Sequence, residues 1–178
     1  SQGYYQSATG STLCLARSTG QYQPYEGRTF CSQCDAGTYG DASTAPGTSD
    51  RYCVDCPPGK FQASTGVGQC DNCELGRYSS TPLRTICDEC AAGKYQGSEG
   101  MTACDTCGPG TRSEKSAGST KCEACSAGKF QNQPGHDTCL PCAPTTNQSR
   151  TGQTKCEQCQ AGYYQSESGQ TACDACPV

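Results

Sequence analysis

Apolar side chains are sparse along this chain and recur one at a time. A single aromatic residue stands among polar residues and glycines, mostly at intervals of about 17 residues or twice that. No stretch of useful length repeats its apolar residues every 3.6 positions, so the pattern predicts almost no helix. It predicts short extended segments separated by turns instead. The aromatic positions are Tyr39, Phe61, Tyr78, Tyr95, Phe130 and Tyr164.

Cysteine and glycine keep the same interval. Cys-x-x-Cys pairs begin at residues 31, 53, 70, 87, 104, 122, 139, 156 and 173, and six of the eight steps are 17 residues long. A Gly follows most pairs by three residues and another precedes the next pair by four, which favours turns with positive φ. The repeat unit is therefore predicted to be a hairpin that begins and ends at cysteine.

The repeat divides the chain into one tandem array of about ten modules. It predicts an elongated, solenoid-like, disulfide-rich rod of short β-hairpins in which each module contacts only its neighbours. Two modules depart from the pattern: Arg112 replaces one aromatic residue, and Thr145 and Asn147 replace a Gly and an aromatic residue. The modules are 1–16 (partial), 17–33 (with Arg17 in place of Cys), 34–55 (with an inserted loop at 41–50), 56–72, 73–89, 90–106, 107–124, 125–141, 142–158, 159–175 and 176–178 (the start of a further module).

Composition excludes an ordinary hydrophobic core. The 178 residues include 19 Cys, 22 Gly and 10 Pro, but only 12 residues of Leu, Ile, Val and Phe together. So few large apolar side chains cannot seal a domain of this length from water. A cysteine content above about 10% is typical of chains stabilised by cross-links.

Charge and hydropathy exclude further classes of partner. The net charge is −4 and no cluster of Lys or Arg occurs, so neither nucleic acid nor an anionic membrane surface is expected to bind. No apolar run reaches the length of a membrane span, and no membrane insertion is expected in this segment. The amino terminus lacks the features of a signal peptide, which suggests a mature or excised segment.

The cysteine pairs could hold zinc, act in redox catalysis or form disulfides. Their spacing overlaps that of zinc ribbons, but nine successive pairs in an acidic chain with one His favour disulfides. A catalytic Cys-x-x-Cys needs a helix amino terminus to lower its thiol pKa, and no helix is predicted. Disulfides imply an oxidising compartment. Their bonds should join neighbouring pairs, although sequence alone does not fix the connectivity.

The repeated motif C-x-x-C-x-x-G-[KTRY]-[YF]-[QS], ending in G-x-T-x-C-x-x-C, resembles the ephrin-receptor-like cysteine-rich repeat. It also resembles the single-disulfide module of tumour-necrosis-factor-receptor ectodomains, over essentially the whole chain. In those families the second Cys of one pair bonds the first Cys of the next. The resemblance therefore implies the bonds Cys34–Cys53, Cys56–Cys70, Cys73–Cys87, Cys90–Cys104, Cys107–Cys122, Cys125–Cys139, Cys142–Cys156 and Cys159–Cys173.

Three cysteines are left over by this pairing. Cys14 and Cys31 have each lost their regular partner, and we expect them to bond each other. Cys176 is then unpaired in this chain or bonded to another chain, because the cysteine count is odd.

Polar and aromatic residues supply the remaining candidate sites. Each aromatic is expected to be a hydrophobic plug on its own disulfide and the next turn. A Gln follows six aromatic residues, and it either hydrogen-bonds backbone between modules or is solvated; these aromatics are Tyr5, Tyr22, Phe61, Tyr95, Phe130 and Tyr164. Asn147-Gln148-Ser149 is an N-x-S sequon and predicts a glycan on an exposed loop. No carboxylate cage for calcium, metal site or cofactor site is expected.

The function that follows is structural. No catalytic constellation can be assembled, and a rod one module thick offers no deep cavity, so the chain is not predicted to be an enzyme. We expect an extracellular or cell-surface protein that self-associates, head-to-tail or laterally, into a filament, surface hair or coat. The resemblance extends to surface proteins of protists and algae, with a tubular flagellar hair (mastigoneme) as one specific form. The alternative is a receptor or adhesion ectodomain that binds another extracellular protein along its side.

Reduction, and not chelation, should unfold this protein. Each bond that closes a loop of about 15 residues removes roughly 3 kcal/mol of unfolded-state conformational freedom. A reductant should therefore abolish the far-ultraviolet circular dichroism of the folded protein, while a chelator leaves it unchanged. Loss of structure with chelator alone would identify metal as the cross-link.

Overall fold

A computed structural model describes residues 4–5, 15–16, 20–22, 32–41 and 53–177. The expected Cys14–Cys31 bond, the substitution at Arg17 and nearly all of the loop at 41–50 lie outside the described residues.

The described residues form ten two-stranded sheets, each made of two consecutive strands, and contain no helix. This confirms the predicted small, disulfide-rich fold of short hairpins. The strands are β1 (Tyr4–Tyr5), β2 (Leu15–Ala16), β3 (Gln21–Tyr22), β4 (Ser32–Gln33), β5 (Thr38–Gly40), β6 (Cys53–Asp55), β7 (Lys60–Phe61), β8 (Asp71–Asn72), β9 (Arg77–Tyr78), β10 (Asp88–Glu89), β11 (Lys94–Tyr95), β12 (Asp105–Thr106), β13 (Thr111–Ser113), β14 (Cys122–Ala124), β15 (Lys129–Phe130), β16 (Leu140–Pro141), β17 (Thr146–Asn147), β18 (Glu157–Gln158), β19 (Tyr163–Tyr164) and β20 (Asp174–Ala175).

The 90–106 module shows how the sequence builds one hairpin. Strand β11 pairs antiparallel with β12, and the Cys90–Cys104 disulfide lies beside this pair. Gly93 has a φ of 76°, which lets the chain turn sharply between Cys90 and β11. The backbone N–H of Cys107 then donates to the carbonyl of Gly93 at 2.9 Å and closes the hairpin. Two residues per strand suffice because the disulfide fixes the ends.

Contacts divide the chain into two compact units. One consists of Ser1–Glu74, Tyr78–Asp88 and Glu99–Ala103, and the other of Leu75–Arg77, Glu89–Ser98 and Cys104–Val178. In the first unit, the backbone N–H of Gly59 donates to the Ser79 carbonyl at 2.8 Å. In the second unit, the N–H of Gly110 donates to the Gln131 carbonyl at 2.7 Å. Within each unit, backbone hydrogen bonds therefore join a module to the next one.

Modules also contact the second module along, so the expectation of nearest-neighbour contact alone is wrong. A Cβ atom on Gly93 would lie 1.9 Å from the carbonyl oxygen of Gly135, and one on Gly59 would lie 2.1 Å from that of Gly100. Each pair is separated by one intervening module. The hairpins are thin, and glycine lets two backbones meet without side chains between them.

The buried core consists of cysteine, glutamine and serine. The second Cys of seven pairs is fully buried, and five glutamines are at least nine-tenths buried. The aromatic residues are half-buried, and Tyr164 is 45% exposed, so they are less buried than these cysteines and glutamines. Their packing on the disulfides stays a prediction. A 17-residue hairpin has too little chain to enclose a ring. The cysteines are Cys34, Cys56, Cys73, Cys90, Cys107, Cys125 and Cys142, and the glutamines are Gln62, Gln96, Gln131, Gln148 and Gln165.

Thr145 occupies the turn position that is glycine in the other described modules. It adopts the same positive φ, at 70°, and its N–H still donates to the carbonyl of Gln165 at 2.7 Å. The departure therefore changes the side chain and retains the backbone of the repeat, at the cost of local strain.

Two matched glycine substitutions should separate backbone strain from module stacking. Gly162 has a φ of 86° and open space around its Cβ position, so Gly162→Ala should cost only the strain of positive φ, about 1–2 kcal/mol. Gly93→Ala adds overlap with the Gly135 backbone, and should cost a further ~3 kcal/mol or more. Guanidinium unfolding with the disulfides intact measures both changes. Equal losses would contradict the close contact at Gly93.

Candidate functional site

The buried glutamines tie each hairpin loop together from inside. The Nε2 of Gln131 donates to the Thr138 carbonyl at 3.0 Å, and its Oε1 accepts from the backbone N–H of Gln133 at 3.1 Å. Gln148 and Gln165 make the equivalent pairs of bonds. Of the two interpretations open for these residues, solvation is excluded by their burial, and the side chains bond within their own module.

The backbone of the same glutamines joins modules. The N–H of Gln131 donates to the carbonyl of Gln153 in the next module at 3.1 Å. A buried serine, Ser113, takes this position in the 107–124 module, and its Oγ accepts from the N–H of Gly93 at 3.0 Å. At Gln131, the side chain thus bonds within its own module and the backbone N–H bonds to the next module.

Two grooves open in the second unit, at the two modules that lack the aromatic residue. The Arg112 groove has a volume of about 490 Å³ and the Asn147 groove about 320 Å³. The Arg112 groove is lined by Arg112, Glu123, Ala124, Ser126, Lys129, Asp137, Thr138 and Cys139. The Asn147 groove is lined by Asn147, Ser149, Glu157, Gln158, Gln160, Tyr163, Thr171, Ala172 and Cys173.

The two grooves occupy the same place in the repeat. Counted from the cysteines, the eight residues of the Arg112 groove correspond one by one to residues of the Asn147 groove. Both linings begin at the aromatic position and reach the disulfide of the following module, at Cys139 or Cys173. Each groove therefore lies between the aromatic position of one module and the disulfide of the next.

Charge in the Arg112 groove is balanced. The Nη2 of Arg112 lies 2.8 Å from Glu123 Oε2, directly across the pairing of β13 with β14. Both side chains are more than one-third exposed, so this ion pair contributes at most about 1 kcal/mol. Lys129 and Asp137 add one charge of each sign. The groove suits a polar neutral group better than a simple ion.

The Asn147 groove carries no cationic side chain. The Nδ2 of Asn147 donates to Cys173 Sγ at 2.9 Å, so the side chain reaches the next module's disulfide. Tyr163, at 52% exposure, forms another part of the wall. Asn147 was predicted from its sequon, whereas Tyr163 was not. The signal for Tyr163 is an extra aromatic at a position that is Thr, Lys or Arg in every module from residue 34 to 158.

The cysteines form eight disulfides with Cα–Cα separations of 5.4–5.8 Å. They are the same eight pairs that the family resemblance implies. Cys176 is a free, exposed thiol, whereas Cys14 and Cys31 lie outside the described residues. In the described ranges, no group of three or more His, Cys, Asp or Glu side chains is placed to hold a metal ion.

The described part of the chain also lacks any helix with the length and apolar character needed to cross a bilayer.

Hairpins of about 17 residues, each closed by one disulfide and tied by a buried polar side chain, define a cysteine-rich repeat domain. A family model described as tyrosine-protein kinase ephrin type A/B receptor-like matches residues 76–121, 113–154 and 146–178, more than half of the chain. The chain belongs to this family. The comparison with curated proteins finds no match. The family and the disulfides indicate an extracellular domain of a non-catalytic kind.

Removal of one buried amide should destabilise a module measurably. Gln131→Ala deletes two hydrogen bonds in a site that is 2% exposed, and should lower the free energy of unfolding by about 2–3 kcal/mol. Gln133→Ala, at an exposed position in the same loop, is the matched control and should change it by less than about 0.5 kcal/mol. Denaturant unfolding without reductant provides the measurement. A neutral Gln131→Ala would show that the amide bonds add nothing to stability.

Proposed function

We propose that this protein is an extracellular structural protein whose repeats form part of a filament, surface hair or coat. The supporting observation is the backbone stacking of the modules. Hydrogen bonds between backbones join a module to the next, and glycine contacts join it to the second one along. The hydrogen bonds use backbone groups and the close contacts require glycine alone, so both can recur unchanged along a long uniform array that carries load.

Covalent closure adds to this mechanical role. Eight disulfides fix the hairpins one by one, so a pulling force meets a cross-link in each of these modules. Recognition proteins usually concentrate function in unusual loops. The described modules from 56 onwards keep one loop design with small substitutions.

Self-association is the partner that we propose. Cys176 is an exposed thiol, and exposed thiols in an oxidising compartment tend to become cross-linked. A bond from Cys176 to Cys14 of another copy, in place of the expected Cys14–Cys31 bond, would link chains head-to-tail. Such heterologous contacts propagate into filaments.

Negative-stain electron microscopy of the purified native protein tests this proposal. We expect regular fibres, together with a ladder of covalent multimers on non-reducing electrophoresis. Cys176→Ser is the matched variant, because it removes the exposed thiol and leaves the eight disulfides intact; it should lose the ladder. Discrete particles with no tendency to assemble would contradict the structural function.

A receptor or adhesion ectodomain is the second candidate. Two observations favour it: the paired grooves at Arg112 and Asn147, and the exposed apolar side chains Leu83 and Ile86 in the first unit, at 52% and 60% exposure. Exposed apolar groups are common in protein-binding surfaces. Saturable binding of an extracellular protein to discrete particles, lost on substitution at these positions, would favour this function over assembly.

A further inference from the structure

Asn147 begins a glycosylation sequon and also lines the Asn147 groove. It is the second residue of β17 and stands at the aromatic position of its module. It also begins the sequon Asn147-Gln148-Ser149, and the Ser149 side chain is exposed. No other Asn of the chain begins an N-x-S or N-x-T sequence. The sequon and the groove therefore coincide at a single residue.

We propose that Asn147 carries an N-linked glycan whose first N-acetylhexosamine occupies the Asn147 groove. This inference rests on the proposed extracellular location, because the modification requires passage through a secretory pathway. In the reaction, Asn147 Nδ2 forms a bond to C1 of a lipid-pyrophosphate-linked oligosaccharide, and the C1–O bond breaks. The lipid pyrophosphate leaves and takes up the proton that Nδ2 loses, so the step needs no oxidant or reductant.

The amide can hold the sugar and keep its contact with the neighbouring module. A primary amide nitrogen has two hydrogens, and glycosylation replaces one of them. The other remains available to donate to Cys173 Sγ, which lies 2.9 Å from Nδ2. The attachment therefore leaves the stacking of the 142–158 module on the 159–175 module intact.

The walls of the groove match a sugar ring. Tyr163 presents an exposed aromatic face, against which the C–H face of a pyranose can pack. Glu157, Gln158 and Thr171 supply polar groups for the hydroxyls and the acetamido group. The volume, about 320 Å³, is at the small end of ligand-sized pockets. The Arg112 groove has no sequon and places Lys129 where the Asn147 groove has Tyr163.

The test uses the full chain secreted from a eukaryotic host. Peptide mapping before and after an amidase that releases N-glycans and converts Asn to Asp should show conversion at Asn147, and Ser149→Ala should abolish it. Nitration by tetranitromethane then reports the position of the sugar. Glycosylated protein should nitrate at Tyr163 several-fold more slowly than the released protein, while Tyr164 in the same peptide serves as the internal reference.

A matched variant separates the groove from glycosylation in general. Pro134→Ser creates the same Asn-Gln-Ser sequence at Asn132, an exposed residue in a module that retains its aromatic Phe130. In an Asn147→Gln background, a glycan at Asn132 should leave the nitration rate of Tyr163 unchanged.

Two results would overturn the inference. Absence of a glycan at Asn147 in secreted, fully disulfide-bonded protein refutes the modification, whatever happens at Asn132. If Tyr163 nitrates as fast in the glycosylated protein as in the released protein, the first sugar does not occupy the Asn147 groove. Neither measurement depends on filament formation. A negative result for the glycan can therefore be told apart from a negative result for the structural function, which is read from fibres and covalent multimers.

Discussion

The close approach of glycine backbones in alternate modules is the constraint on which the rest of the structure depends. At Gly93 the carbonyl of Gly135 lies so close that no room is left for even one methyl group. This contact requires glycine at the first position of each pair, because a Cβ there would overlap the carbonyl at the second position. Backbone hydrogen bonds between successive modules accompany this stacking, as from the N–H of Gly110 to the carbonyl of Gln131.

A module of about 17 residues is stabilised by few interactions. Its interior holds a disulfide and one amide side chain that bonds both ends of the loop, as Gln131 does with Thr138 and Gln133. Each of those bonds contributes only modestly to stability, and the amide would be costly to bury without them. Cross-linking limits the unfolded chain, while the amide specifies one conformation for the folded loop.

Departures from the repeat locate the candidate sites. Arg112 and Asn147 stand at the aromatic position of their modules, and each lines a groove that reaches the disulfide of the next module. Thr145 departs as well but retains the backbone geometry, so it creates no comparable opening. In a uniform array, a candidate binding site is thus best sought at modules where a repeated side chain is replaced and the backbone geometry is retained.

The sequence alone determined the hairpin unit, the absence of helix from the described residues, and the use of disulfides, because the 17-residue interval and the cysteine content leave few physical alternatives. The resemblance to a known repeat supplied the eight pairings. Only the tertiary structure decided that Gln131 is buried while Phe130 is half-exposed, and that Gly93 meets Gly135. These features depend on which surfaces of thin hairpins meet, and local sequence patterns carry no information about contacts across an intervening module. The same reason explains why Tyr163 and Asn147 could not be assigned to one groove before the fold was known.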